Sequence, residues 1–416
     1  MRTALLAWDY PPAPSGLSTA AREIAESLSA LGVTVTVFTL DRTGSGDHAG
    51  VGIEGIGLPP GSRLARLRLW GSAGHLAAPM AFRRAVLRAH ARHPFACIEA
   101  TNWYGPAALL GGGAAPPLVT RNSTPAAFSR EPAASLRDRL DGLAADRLER
   151  RQARASAGLI SNTGEHAARM TALYGLQPAR PHTVRPHTAR PHTARPHTAR
   201  PHAVIGLSLP PEMLERGRAA PYPEATDGPI RLLFVGRAEA RKGFDLLLAA
   251  AAILGADCEA GTLPPFEIAL VGVPEADLPP DCPAVARRRL RPLGRIDAVA
   301  LEAAYARAHV VLAPSRYESF GLVYQEALAH GRPVVACAED ASARAFIGGP
   351  GAGLLAREAT GAALAEAIRP LLLDSALRLR LRDRALSASG AFDRARLGAE
   401  TLALYERAIA AARQGR

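Results

Sequence analysis

The chain alternates short apolar runs with longer stretches whose apolar residues recur at helical spacing. Residues 3–8 read as a strand, and 9–17 as a loop holding three prolines and Gly16. Ser18 reads as an N-cap for a helix over 19–31 that stops at Gly32, and 33–38 as a second strand. This is a βαβ opening with a glycine-bearing loop at the carboxyl end of its first strand. Further strands are expected at 51–56, 95–100, 118–120 and 158–161, with helices at 77–93, 137–154 and 165–174. A polar, proline-rich stretch at 221–228 marks a boundary. Beyond it the alternation resumes, with strands at 230–235, 266–271, 289–294, 310–313 and 333–336. Helices are expected there at 244–254, 297–308, 322–330, 358–373 and 376–387, and a long amphipathic one at 395–412. The pattern predicts an α/β protein with doubly wound, mostly parallel sheets.

Length divides this pattern in two. A chain of 416 residues exceeds one ordinary core. The expected divisions are a first Rossmann-like domain over 1–178, a linker over 179–228, a second Rossmann-like domain over 229–394 and a last helix over 395–416. Two such halves facing a cleft would let two substrates meet. Within the linker, 179–202 repeats Arg-Pro-His at a five-residue period. That period matches no repeat fold, and proline at every fifth position forbids a helix. The tract reads as a mobile excursion without chemistry, although His-rich tracts can bind metal.

Composition narrows the function. At 48% hydrophobic and 21% charged, the residues are those of a globular protein. The formal charge of +12 suits an anionic ligand or surface. Aromatics at 5% supply no base-stacking platform, so no nucleic-acid partner is expected. Cys97, Cys258, Cys282 and Cys337 have no metal-ligand spacing and read as buried thiols of a reducing compartment. The amino terminus reads as a strand, and no apolar run is long enough to span a bilayer. A cytoplasmic location follows. Peripheral contact with an anionic membrane, through Arg63, Arg66, Arg68 and the 77–93 helix, is the further expectation, with a solvated basic face as its alternative.

One lysine stands out. Of 50 Lys and Arg residues only Lys242 is lysine, in the stretch VGRAEARKGF over 235–244. A composition this biased retains lysine where a compact ammonium is needed and a planar fork would not serve. Arg237 and Lys242 fall on a strand-to-helix loop, where open α/β sheets bind ligands and a helix start favours anions. A second stretch, APSRYESFGLVYQEALAHGRPVVA over 313–336, repeats the geometry. A strand ends at Pro314-Ser315, a loop holds Glu318, and Phe320-Gly321-Leu322 opens a helix that carries Glu326. The first amides of that helix are free to bind a phosphate or sugar hydroxyls, and a carboxylate can accept a ribose diol.

These motifs, in this order, resemble a glycosyltransferase of the GT-B fold, in the large retaining family numbered 4. The resemblance covers nearly the whole chain and is most specific after residue 229. It implies that Arg237 and Lys242 bind the diphosphate of a nucleotide sugar, that Glu318 lies near the donor sugar, and that Glu326 holds the ribose. It implies donor contacts from the amides of Phe320, Gly321 and Leu322, from Arg295 and Ile296 beside the base, and from the loop with Gly16. It also implies that the last helix crosses back to the first domain. With no Asp-x-Asp pair and no His/Cys cluster, no metal or other cofactor is expected. Arg237, Lys242 and helix amides would stabilise the leaving diphosphate, with Glu318 positioning the sugar rather than attacking it.

Two departures accompany the resemblance. Where relatives often read Arg-Leu-His-Thr-Pro, this chain has Arg121-Asn122-Ser123-Thr124-Pro125, without the acceptor-side histidine. With Asn102, residues Arg121, Asn122 and Ser123 form the expected acceptor side. Where relatives often read Gly-Gly-x-Pro-Glu, this chain has Glu339-Asp340-Ala341-Ser342. The expected activity is transfer of a hexosyl or other glycosyl group to an unidentified acceptor. A catalytically inactive GT-B binding protein and a sugar-nucleotide epimerase are the alternatives.

Overall fold

The computed structural model describes residues 1–13, 15–67, 71–112, 115–130, 132–176, 200–223 and 228–414. The chain divides into two compact units, Met1–Leu207 with Ala395–Arg416, and Ser208–Arg394. No helix among the described residues is long and apolar enough to cross a membrane.

In the first unit the order is β1 (Arg2–Ala7), α1 (Gly16–Ser29), β2 (Thr34–Thr39), β3 (Thr43–His48), β4 (Val51–Ile56), α2 (Arg63–Leu67), α3 (Ala77–Arg92), β5 (Cys97–Thr101), β6 (Leu118–Arg121), α4 (Ala126–Ser129), α5 (Leu136–Ala155), β7 (Gly158–Ser161), α6 (Gly164–Tyr174) and β8 (His202–Val204). These strands form one sheet in the order β3-β4-β2-β1-β5-β6-β7-β8, parallel except for the β3–β4 hairpin. Buried Ala4, Leu6, Phe38, Phe82, Val86, Phe95, Ile98 and Leu118 pack α3 against the sheet. The apolar stripe of α3 therefore faces the core, while Arg83, Arg84, Arg88 and Arg92 are exposed.

Two local expectations for this unit are corrected, and one strand is present that no expectation named. The N-cap of α1 is Ser15, whose Oγ accepts from the Ser18 amide at 3.0 Å; Ser18 is buried and Gly16 is the first helical residue instead of a loop glycine. Strand β3, TGSGDH, is exposed throughout, so no hydrophobic period announces it. Pairing with β4 creates it, through a two-residue turn at Ala49-Gly50 with both φ angles positive (52° and 74°), as tight hairpins require. The Arg-Pro-His tract, finally, contributes structure. Residues 177–199 lie outside the described residues, but the last unit joins the sheet. Arg200 donates to the carbonyls of Ala153 (2.8 Å) and Arg154 (2.6 Å), and His202 starts β8 with its Nε2 2.9 Å from Ser161 Oγ. An edge strand tolerates Pro201, since it has no amide to give to the ladder. Of the four cysteines, Cys97 and Cys337 are buried, while Cys258 and Cys282 are half-buried.

The second unit contains α7 (Pro211–Ala219), β9 (Ile230–Val235), α8 (Phe244–Glu259), β10 (Phe266–Val271), α9 (Ala284–Arg287), β11 (Leu290–Gly294), α10 (Ala298–Arg307), β12 (Val310–Ala313), α11 (Leu322–Ala329), β13 (Val334–Cys337), α12 (Ala341–Ala343), β14 (Gly353–Ala356), α13 (Gly361–Leu373) and α14 (Ser375–Ser389). Its sheet is wholly parallel, ordered β11-β10-β9-β12-β13-β14. Both faces are covered, one core centring on Phe234, Leu247 and Leu364 and the other on Leu233, Tyr305 and Tyr324. Strand order reverses beside β9, whose neighbours are β10 and β12. In sheets of this kind, a ligand site forms outside the carboxyl ends of the two strands at such a reversal. The last helix, α15 (Arg394–Gln414), belongs with the first unit: buried Tyr405 donates to Glu99 Oε2 at 2.7 Å. Two Rossmann-like units with this returning helix are the GT-B fold.

Candidate active site

The loops that follow β9 and β12 meet because one residue between them lacks a side chain. Gly243, at φ 71°, lies so close to the end of β12 that a Cβ there would stand 1.9 Å from the Pro314 carbonyl oxygen. The Arg316 amide donates to the Arg241 carbonyl at 2.9 Å, and Arg316 clasps Asp245 of α8 with two bonds of 2.7 Å. The result brings Lys242 to Glu318. Lys242 Nζ lies 2.5 Å from Glu318 Oε1, with the two side chains only 17% and 13% exposed. Ser315 Oγ donates to the same oxygen at 2.8 Å, and Arg241 Nη1 stands 3.8 Å away. Burial opposes ionisation of Glu318, but the Lys242 and Arg241 cations outweigh it and hold the carboxyl below its ordinary pKa.

Glu326 sits about one turn into α11, whose N-cap is Gly321 at φ 61°. A Cβ on Gly321 would stand 2.8 Å from the Tyr324 ring and 3.3 Å from that of Phe346. Phe320 precedes this cap and its carbonyl accepts from Gln325 Nε2 at 2.8 Å; Leu322 begins the helix. Tyr305 donates to Glu326 Oε2 at 2.8 Å. Burial pushes Glu326 up to about 7, opposed by the Tyr305 hydroxyl and by Lys242. Lys242 thus acts on both carboxylates. On the far side of β9, Arg295 is exposed after β11, and Ile296 packs partly against the Tyr305 core.

Arg237 behaves otherwise. It is 72% exposed and pairs with Glu239 at 2.7 Å. The second cation at Glu318 is Arg241, where the sequence pointed to Arg237. Sequence reasoning gave no role to Ser315, named only as a strand end, or to Asp340, named only in the departing segment, and it passed over Tyr305, which reaches Glu326 only through folding.

In the first unit, Gly16 opens α1. The four expected acceptor-side residues are all buried and hydrogen-bonded internally. Asn102 Oδ1 accepts from the Ser123 amide (2.6 Å) and hydroxyl (3.0 Å), and its Nδ2 donates to Tyr174 at 2.7 Å. Asn122 donates to Ser161 at 2.8 Å, and Arg121 pairs with Glu99 at 2.7 Å. They join strand ends to one another and offer no side chain to solvent. A concavity of about 680 Å³ does open in this unit, lined by His75, Tyr104, Arg130, Asp138 and Asp141 among others, and by none of those four.

Comparison with known proteins agrees with this architecture. The family model for glycosyl transferases group 1 matches residues 229–374, and that for the glycosyl transferase 4-like domain matches residues 15–187. The D-inositol 3-phosphate glycosyltransferase of Kribbella flavida is 30% identical over 353 residues, 78% of this chain and 74% of that protein. D-inositol 3-phosphate glycosyltransferase 1 of Catenulispora acidiphila is 34% identical over 261 residues, 60% of this chain and 57% of that protein. The chain thus spans less than two thirds of the length of this second relative. Sucrose-phosphate synthase of Thermosynechococcus elongatus shares the fold, with a TM-score of 0.71 at 22% identity over 99% of each chain. The chain belongs to the group 1, family 4 glycosyltransferases.

Proposed function

We propose that this chain is a retaining glycosyltransferase that moves a sugar from a nucleoside-diphosphate sugar to an acceptor hydroxyl without a metal ion. The observation that supports this reading best is the Lys242–Glu318 contact at the reversal of strand order, where β9 and β12 end and α11 begins. A donor diphosphate there meets the Lys242 ammonium, the Arg241 guanidinium and the first-turn amides of α11, with Arg237 free to swing in from its exposed pairing. As the bond from sugar carbon to phosphate oxygen breaks, negative charge collects on the diphosphate, where preorganised cations stabilise it. The acceptor oxygen bonds to that carbon, and its proton passes to the leaving phosphate.

Glu318 is poorly placed to attack. Its Oε1 is engaged by Lys242 and Ser315, which leaves Oε2 to accept a hydroxyl of the donor sugar. Glu326, ionised, accepts the two ribose hydroxyls. Because its folded pKa is raised to about 7, ionisation arrives as pH rises through that value. The donor KM should therefore fall severalfold between about pH 6 and about pH 8. In Glu326→Gln it should be flat over the same range. The same shift carries a stability signature: between about pH 4.3 and 7 the folded state holds a proton that the unfolded state releases, so stability falls as pH rises there. Glu326→Gln should remove that fall, read as melting temperature against pH.

A panel of nucleotide sugars assayed by thermal shift tests the reading as a whole. At least one donor should raise the melting temperature by mass action, and transfer or hydrolysis of that donor should persist in excess chelator. No shift with any member would overturn donor binding. Loss of turnover in chelator, restored by a divalent ion, would overturn metal independence. Products separate the two alternatives: an epimerase returns an isomeric nucleotide sugar, and an inactive binder releases no nucleoside diphosphate.

A further inference from the structure

The segment that departs from the family pattern, Glu339-Asp340-Ala341-Ser342, follows β13 and folds back over the Glu318 loop. Asp340 is 1% exposed and accepts four hydrogen bonds. Its Oδ1 takes the Glu318 amide at 3.0 Å and the Ser342 amide at 3.4 Å. Its Oδ2 takes the Tyr324 hydroxyl at 2.8 Å and the Ala343 amide at 3.1 Å. Ser342, wholly buried, donates its hydroxyl to the Glu318 carbonyl at 2.7 Å. Both backbone groups of Glu318 are thus held from one short segment, while Lys242 and Ser315 hold its side chain.

The placement is specific. Asp340 caps α12, whose amides it binds, and through Tyr324 it is fastened to α11. It therefore links three neighbours of the site: the loop after β12, the helix carrying Glu326 and the end of β13. A glycine pair in this position would offer no side chain for any of these bonds. The arrangement also sets two acids against each other. Burial, then the nearby Glu318 charge, push Asp340 up to about 6, an unfavourable contact that four donors offset.

We infer that Asp340 and Ser342 are positioning residues that hold the Glu318 peptide so that its carboxylate meets Lys242 and the donor sugar in register. The inference rests on the proposed glycosyl transfer and adds to it the device by which this chain sets its sugar-positioning acid. Neither residue touches the reacting atoms. Each acts through Glu318, so its effect must depend on the carboxylate being there.

A double-mutant cycle tests this on the full chain. Ser342→Ala and Tyr324→Phe are the gentle variants and Asp340→Asn the severe one, each made alone and with Glu318→Gln. Melting temperature confirms folding, and kcat and donor KM are read separately. Ser342→Ala should lower kcat about tenfold with donor KM within about twofold. In the Glu318→Gln background the same change should cost less than about twofold. An unchanged kcat in both gentle variants, a loss confined to KM, or the same loss in both backgrounds would overturn the clamp, the last marking a merely structural role. Wild type inactive with every donor would instead sink the proposed function and this inference with it. An active wild type with additive variants sinks the inference alone.

Discussion

Lys242→Ala should slow glycosyl transfer about a thousandfold, a loss of about 4 kcal/mol of transition-state stabilisation. The folded state should survive, because Ser315 and Arg241 still face the Glu318 carboxylate. Steady-state kcat with saturating donor, beside a thermal melt, checks both halves. Lys242→Arg is the sharper variant. The ammonium meets Glu318 Oε1, an oxygen it shares with Ser315 and Arg241, and the planar guanidinium is wider and prefers paired acceptors. Charge is kept, yet kcat should still fall about a hundredfold. Near-normal turnover in Lys242→Arg would mean that the lone lysine is a survivor of drift and that charge alone matters at this position.

The second large effect concerns stability. Arg121→Ala should cost about 3–5 kcal/mol, because it strips a buried carboxylate of its cation. Glu99 and Arg121 are 1% and 3% exposed and form a short pair. Tyr405 and Thr401 of α15 reach the same pair, donating to Glu99 at 2.7 Å and accepting from Arg121 at 2.9 Å. The variant should therefore loosen the last helix from the sheet as well as strain the core. Denaturant unfolding followed by circular dichroism measures the loss. Glu99→Gln combined with Arg121→Met removes both charges and should recover more than half of it. If the double variant is no better than Arg121→Ala, the loss came from packing.

Much of this site was legible along the chain. The apolar runs over 230–235, 266–271 and 310–313 became β9, β10 and β12 with those same ends, since buried parallel strands are continuous apolar runs bounded by turn residues. Lys242, Glu318 and Glu326 drew notice by rarity and spacing, and the fold places the first beside the second and within electrostatic reach of the third. The triplet Arg121-Asn122-Ser123, expected at the acceptor side from the resemblance, is bonded to partners inside its own unit. Polarity in sequence does not reveal whether a side chain meets solvent or an internal partner, and here Glu99, Ser161 and Asn102 are waiting inside.

Sequence by itself indicated most of the strand and helix alternation and singled out Lys242, Glu318 and Glu326 as candidates, because these depend on local periodicity and side-chain chemistry. Tertiary structure alone decided which cation faces Glu318, that Tyr305 holds Glu326 and that Asp340 holds the Glu318 backbone. It also decided that a featureless polar hexapeptide and the end of a proline-rich repeat become edge strands. Each of those outcomes depends on partners far away in the chain, and only the closing of the sheet brings them within hydrogen-bonding distance.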